Sequence, residues 1–339
     1  MFSAAEKCKP VIKIMVYIVA ATILTLVSGL RYMVGTDYKH YMVLYSDYIE
    51  NFSIFSQPAL SVFAKLSSFI YNDYATWFLI MALITVIPVI VMVVKRNQSI
   101  ELCILLYVLL GCWHFSFNIV KQSVAATILF CGFSFLRDRK FWHWCLFCMI
   151  AATFHVSAVL MIPIYFLADG KIDKRRIIML VMFALIIRIF YDKLFILIAF
   201  MKRGEGLVDA NSSTVTQSVN LLRIVVNCMP VAVYAFFRKT YKNIENADFF
   251  CLFNLSLLNA VLNIASMNSI YLNRVCTYTN IFNILFIPMI FPSLKPEYEK
   301  IKPIVMTAYT MVLVFYFVFW VYDLYKNPDM VNYYWIFER

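Results

Sequence analysis

Long apolar runs alternate with short polar or charged segments along the chain, and most approach the ~20 residues that an α-helix needs to cross a bilayer. They cover Ile14 to Leu30, Tyr74 to Val94, Ile100 to Phe117, Ser123 to Leu136, Phe141 to Ala168, Ile177 to Met201, Val219 to Phe237, Phe249 to Met267, Val275 to Phe291 and Ile304 to Tyr325. The pattern predicts an all-α, polytopic integral membrane protein with about nine to eleven transmembrane helices in one domain over residues 1–339. Phe141 to Ala168 lies between two basic clusters, Arg137/Arg139/Lys140 and Lys171/Lys174/Arg175/Arg176. If both clusters face the cytoplasm the stretch must go up and return, yet two full spans need about 40 residues. A broken hairpin of two short helices is expected, with His155 near its tip. Such a hairpin is tolerated only where protein or a water-filled cavity surrounds it, which makes it a candidate wall of an active site.

Composition sharpens the picture. The chain is 63% hydrophobic and only 14% charged, more apolar surface than one water-soluble core hides. Seven glycines and the lack of alternating ten-residue segments argue against an outer-membrane barrel. The net charge of +11 raises nucleic acid as a partner, but the basic residues are scattered between apolar runs, so membrane lipid head groups are the better anions and no nucleic acid is expected. Nine cysteines sit mostly in apolar stretches and read as packing residues without disulfides. The basic start, Met1 to Lys13, leads straight into an uncleaved first span.

Most Lys and Arg fall at one set of span ends, which by the positive-inside rule puts the amino terminus in the cytoplasm. Residues 31–73, with Asp37, Asp47, Glu50 and many aromatics, then form an outer cap lying on the membrane surface. Residues 202–217 form an outer loop, and the carboxyl terminus is outside. Arg31, Lys121, Arg223 and Arg274 break the charge bias, each at or just inside the outer end of a different span. Snorkelling accounts for any one of them. Four at one level suit a lipid diphosphate. Cys145 and Cys148 have the spacing of a zinc half-site but no second pair, and His114 reads as a structural hydrogen-bond partner. There is no Asp-x-Asp pair, HExxH motif, Walker loop or GxSxG elbow.

Three segments, taken together, resemble the EpsG-like branch of the Wzy polysaccharide polymerases. They are Arg31-Tyr32-Met33-Val34-Gly35-Thr36-Asp37-Tyr38 followed by Tyr41, then Asn118-Ile119-Val120-Lys121-Gln122-Ser123-Val124-Ala125, then Phe154-His155-Val156-Ser157-Ala158. Asn273-Arg274 to Tyr278 resembles a family element less distinctively. Members often carry Arg where this chain has Lys121, which keeps the cation but loses the planar fork. They often carry an acidic residue where this chain has Gln57-Pro58.

The resemblance implies a GT-C-like glycosyltransferase, an O-antigen or surface-polysaccharide polymerase. Such an enzyme moves a growing glycan from undecaprenyl diphosphate onto another lipid-linked repeat unit at the outer, periplasmic face of the bacterial inner membrane. It also implies a chain-length regulator and a flippase as partners. Arg31, Lys121, Arg223 and Arg274 would stabilise the leaving diphosphate, and Asp37 and His155 are the two candidate bases for the acceptor hydroxyl. Tyr38, Tyr41 and Gln122 are candidate sugar contacts. No cofactor is expected, and lacking a carboxylate pair for a hard cation the reaction is expected to be metal-independent. The competing reading is a lipid-linked oligosaccharide flippase or other transporter, which would carry pseudo-repeats and ionisable residues through the full membrane depth.

Overall fold

The computed structural model describes residues 10–52, 57–96, 99–170, 173–201, 219–238, 246–290 and 298–339. The expected outer loop at 202–217 lies outside these residues, as do residues 1–9 of the expected basic start. The regular structure of the described residues is helical apart from one pair of two-residue strands. They fall into two compact units, one of residues 1–162 with 313–339 and one of residues 163–312.

The first unit contains α1 (Pro10–Gly29), β1 (Arg31–Tyr32), α2 (Tyr38–Glu50), α3 (Pro58–Ile70), α4 (Tyr74–Lys95), α5 (Ile100–Leu109), α6 (Cys112–Asn118), α7 (Val120–Cys131), α8 (Phe133–Arg137) and α9 (Phe141–Phe154), then a 3₁₀ helix, Val156–Met161. The second contains α10 (Ile164–Leu167), α11 (Lys174–Met201), α12 (Leu221–Phe237), α13 (Ala247–Ala265), α14 (Ile270–Asn273), α15 (Thr277–Asn280) and α16 (Asn283–Ile290). Helix α17 (Tyr298–Lys326) belongs to the second unit through Val312 and to the first from Leu313, and β2 (Tyr334–Trp335) follows it.

Helix α4 is the axis of the first unit. Asp73 caps it by accepting the Ala75 amide at 2.8 Å, and its 22 residues extend about 33 Å at 1.5 Å per residue, enough to cross the hydrocarbon layer. At its far end Arg96 donates to Ser134 Oγ at 2.7 Å and lies over the Phe133 ring. The basic groups after α4 and after α8 therefore share one end of this unit. The other end is the cap. Tyr38, Tyr41, Tyr45 and Tyr48 fall at helical three- and four-residue spacing on α2 and are all buried, packing around Trp77 and Phe78 of α4.

Residues 327–339 strap this cap. β1 and β2 pair antiparallel, Arg31 opposite Trp335. The Gly35 amide donates to the Asp329 carbonyl at 2.9 Å, and the Ile336 amide to Leu30. Arg339 and Asp73 form an ion pair. The cap and residues 327–339 thus lie together at one end of the first unit.

The expected hairpin forms. Helix α9 runs to Phe154, His155 breaks it in an extended conformation (φ −152°, ψ 114°), and the 3₁₀ helix folds back so that Trp144 Nε1 donates to the Met161 carbonyl at 3.0 Å.

Several expected spans are interrupted. Among the described residues three helices meet the full length and apolarity of a span, α4, α13 and the Pro303–Lys326 part of α17, and a fourth does if the α5–α6 pair, bent by 42°, counts as one. The bend falls at Gly111, whose positive φ of 75° suits glycine and ends α5. Gly132 separates α7 from α8. The stretch Val275 to Phe291, expected as one crossing, opens as a 3₁₀ turn and the short α15 and α16. Shorter apolar helices, Ile14–Gly29, Val120–Cys131, Phe141–Phe154 and Leu221–Phe237 among them, accompany the long ones.

In the second unit α13 is central, packing on α11, α12 and α16. Phe249 and Phe253 of α13 meet Tyr234 and Phe286, and Asn254 Nδ2 donates to the carbonyls of Ala168 and Gly170.

Candidate functional site

Each motif segment of the first unit lies at a chain terminus of a helix, and the three meet at the cap end. After α1 the backbone turns at Gly35 with φ 101°. A Cβ there would stand 2.6 Å from Asn118 Oδ1 and 3.0 Å from the Phe117 carbonyl oxygen, so glycine permits both the left-handed turn and the close approach of the first motif to the second. The second motif opens α7 and the third ends α9. They touch where Gln122 Nε2 meets His155 Nε2 at 3.1 Å.

Arg31 is the firmest element of this end. It is 2% exposed. Nε donates to the Val34 carbonyl at 3.3 Å, Nη2 to Phe117 at 3.1 Å, and Nη1 to Ser28. Its guanidinium lies 4.7 Å from the centroid of Phe78 and 5.1 Å from that of Phe117. Burial pulls its pKa down to about 10, partly opposed by the neighbouring tyrosines, so it stays charged at neutral pH. Arg31, expected as a diphosphate cation, is buried here and gives three of its five N–H donors to backbone carbonyls. It clamps the end of α1 and the Gly35 turn to the end of α6.

Tyr38 and Tyr41, expected as sugar contacts, are 1% and 2% exposed. The Tyr38 ring stacks on Phe78 at 4.8 Å and its hydroxyl donates to the Arg31 carbonyl. Helix α2 turns both rings inward because they lie on the stripe that covers Trp77 and Phe78. Burial and the nearby Tyr74 raise the Tyr38 pKa, with Arg31 opposing.

The polar groups left at this end are Asp37, His40, Lys121, Gln122, His155 and Ser157. Asp37 is half-buried and precedes α2 without its side chain capping the helix. Lys121 lies 6.0 Å from the Tyr41 ring centroid. His40, one turn after Asp37, senses both: burial and Lys121 lower its pKa while Asp37 raises it, so the ring is neutral near pH 7. It went unnoticed in the sequence, although the spacing Asp37-x-x-His40 places two proton-exchanging groups on one helix face.

With the Gln122 amide nitrogen as donor, His155 Nε2 is the acceptor. The ring proton then sits on Nδ1 and is donated to Ser157 Oγ at 2.7 Å. Gln122 itself is 7% exposed, and its Oε1 is buried with no hydrogen-bond partner among the described residues. His114 has the structural part expected of it: it accepts from Trp320 Nε1 at 3.2 Å, tying α6 to α17. Cys145 and Cys148 are free thiols, and no group of three His, Cys, Asp or Glu side chains that could hold a metal is found among the described residues.

Arg223 and Arg274, the other two expected diphosphate cations, belong to the second unit. Both are half-buried. Arg223 lies in the first turn of α12 and Arg274 opens the 3₁₀ turn after α14. Between them runs a feature the sequence reading passed over, a buried polar stripe formed by Ser256, Asn259 and Asn263 of α13 and by Ser266, which follows it. Its three- and four-residue spacing inside an apolar helix was the available signal.

Long apolar helices, a tethered cap and a hairpin broken at a histidine define a helical membrane protein, with one group of polar residues at the cap end of its first unit and another along α13 of its second. The chain belongs to the EpsG family, whose family model matches residues 14–337. No curated protein and no solved structure matches it. Membership carries with it a polysaccharide polymerase-like, glycosyltransferase-like activity in polysaccharide biosynthesis.

Proposed function

We propose that this protein polymerises a surface polysaccharide, moving a growing glycan from undecaprenyl diphosphate onto a second lipid-linked repeat unit at the periplasmic face of the bacterial inner membrane, as in O-antigen assembly. The observation that carries this reading is the meeting of the three motif segments: Arg31 on Phe117, Gly35 against Asn118, and Gln122 on His155. In a GT-C-like arrangement of nine to eleven helices the cap would face the periplasm and the basic turns after α4 and α8 the cytoplasm.

Glycosyl transfer from a lipid diphosphate needs a base for the acceptor hydroxyl and cations for the departing phosphates. Asp37, whose carboxylate is not spent on the helix it precedes, takes the proton. His155, fixed by Gln122 and Ser157, orients the acceptor sugar, and Gln122 Oε1 accepts one of its hydroxyls. In the first unit Lys121 is the cation offered to a departing phosphate while Arg31 holds the cap in register, and in the second unit Arg223 and Arg274 are two further phosphate-binding cations. A flippase that delivers the unit and a chain-length regulator are the partners this chemistry calls for, and the reaction runs without a metal.

The test is reconstitution of the purified protein with one defined undecaprenyl-diphosphate-linked unit. Wild type yields a ladder of products that persists in EDTA. Asp37→Asn leaves single units at normal protein level and unchanged Tm. A full ladder from Asp37→Asn removes the proposed base, and transport of the unit without new glycosidic bonds replaces the polymerase by a flippase.

A further inference from the structure

Four asparagines of the second unit form one continuous hydrogen-bonded line. Asn227 Nδ2 donates to the Arg223 carbonyl at 2.8 Å, and Asn259 Nδ2 donates to Asn227 Oδ1 at 2.9 Å. Asn263 Nδ2 donates to the Asn259 carbonyl at 2.8 Å and approaches Asn259 Oδ1 at 3.3 Å. Asn273 Nδ2 donates to Asn263 Oδ1 at 3.0 Å and to Ser266 Oγ at 2.9 Å. Arg274 is the next residue. Thr279 Oγ1 joins at Asn259 Oδ1, 3.0 Å away. The line thus begins on the backbone that carries Arg223, crosses α13, and ends one residue before Arg274.

Asn259 is the hub. It is 0% exposed, and Asn263 is 1%. Its amide nitrogen serves α12, and its side-chain oxygen serves α15 through Thr279. An apolar helix needs none of this for its own stability, and a buried amide costs free energy unless its bonds are made. Polar groups inside a membrane domain mark functional positions by default. The line contains no titratable group, so it carries no protons. What it does is fix the backbones under two cations on separate elements at a set separation.

We propose that the Asn227–Asn259–Asn263–Asn273 line is a positioning device that holds Arg223 and Arg274 at the spacing needed to engage one lipid diphosphate, with Asn259 as its central residue. The inference rests on the reading of those two arginines as phosphate-binding cations and adds the residues that act through them. A diphosphate engaged at both phosphates rewards fixed spacing, because each arginine that must be reoriented on binding lowers affinity.

The experiment measures binding of farnesyl diphosphate, a short polyprenyl diphosphate, to the full-length protein in nanodiscs by calorimetry. Arg223→Gln and Arg274→Gln each weaken binding about tenfold or more. Asn259→Ser weakens it about three- to tenfold with both arginines present and less than twofold in the Arg223→Gln background, because its effect passes through Arg223. Asn227→Leu, at a half-buried site, cuts the α12 link alone and supplies the same comparison should Asn259→Ser fold poorly. Equal losses with and without Arg223, or no loss at all, overturn the positioning role. Wild-type affinity in both arginine variants removes the phosphate reading, and the positioning role falls with it.

Discussion

Replacing Arg31 with alanine strips three buried backbone carbonyls, those of Ser28, Val34 and Phe117, of their charged donor. Hydrogen bonds to a charged group are worth about 1.5–3 kcal/mol each, but burying the cation has its own cost, so the bonds do not simply add. A buried acceptor left unsatisfied costs about 1–3 kcal/mol, so three such carbonyls, only partly additive, cost about 3–5 kcal/mol together. For a body of this size 1 kcal/mol corresponds to roughly 2–4 °C, so Arg31→Ala should lower the Tm of the detergent-solubilised protein by about 6–20 °C. Arg31→Lys keeps the charge but has no planar fork to reach carbonyls in three directions, nor a flat face to lie over Phe78. It should lose more than half as much. Thermal melts followed by tryptophan fluorescence are informative because Trp77 sits in the tyrosine stripe beside the clamp. An Arg31→Ala protein that melts within about 2 °C of wild type and fails only in turnover would refute the clamp and return Arg31 to the ligand.

Other expectations follow from the same geometry. Gly35→Ala places a methyl group 2.6 Å from Asn118 Oδ1 at a positive φ, and should cost about 1–3 kcal/mol in stability and most of the polymerisation, read by melting and by the product ladder. Trp144→Phe removes the indole bond to Met161; a loss of about 1 kcal/mol and faster proteolysis near His155 would report the loosened hairpin. Burial raises the Asp73 pKa, but Arg339 and the Ala75 amide more than offset it, and the net shift is downward. The strap therefore contributes stability above the ordinary carboxylate range and loses it as pH falls through the lowered pKa. Because the pair is partly exposed, the effect is about 0.5–1 kcal/mol, and Asp73→Asn should shrink the difference between melts at neutral and acid pH by that amount.

What could be read in advance depended on whether the signal was local. The apolar runs located the helices, since a crossing of about 20 residues leaves a mark no other element makes. The turn at His155 was legible because two basic clusters bracketed a stretch too short for two crossings. The breaks at Gly111 and Gly132 were not, because one glycine in an apolar run is compatible with either a bend or a continuous helix. At the site, residue types were legible but their directions were not. Arg31, Tyr38 and Tyr41 carry polar groups at an apparent interface, and only the packing of α2 on Trp77 and Phe78 turns them inward. Asn259 and Asn263 were passed over because amides carry no charge to stand out in a count of ions, although their four-residue spacing places both on one helix face.

The pairing of Arg31–Tyr32 with Tyr334–Trp335 also orders events during synthesis. At about 5–20 residues per second, the ribosome needs roughly 15–60 seconds after making the first of these strands to make the second. Throughout that interval the Gly35 turn lacks the Asp329 carbonyl and the Asp73 cap lacks Arg339. The newborn protein must therefore wait for residues 327–339 to emerge before the aromatic lid can settle. A bulky fusion at Arg339 would impair maturation before it touched turnover.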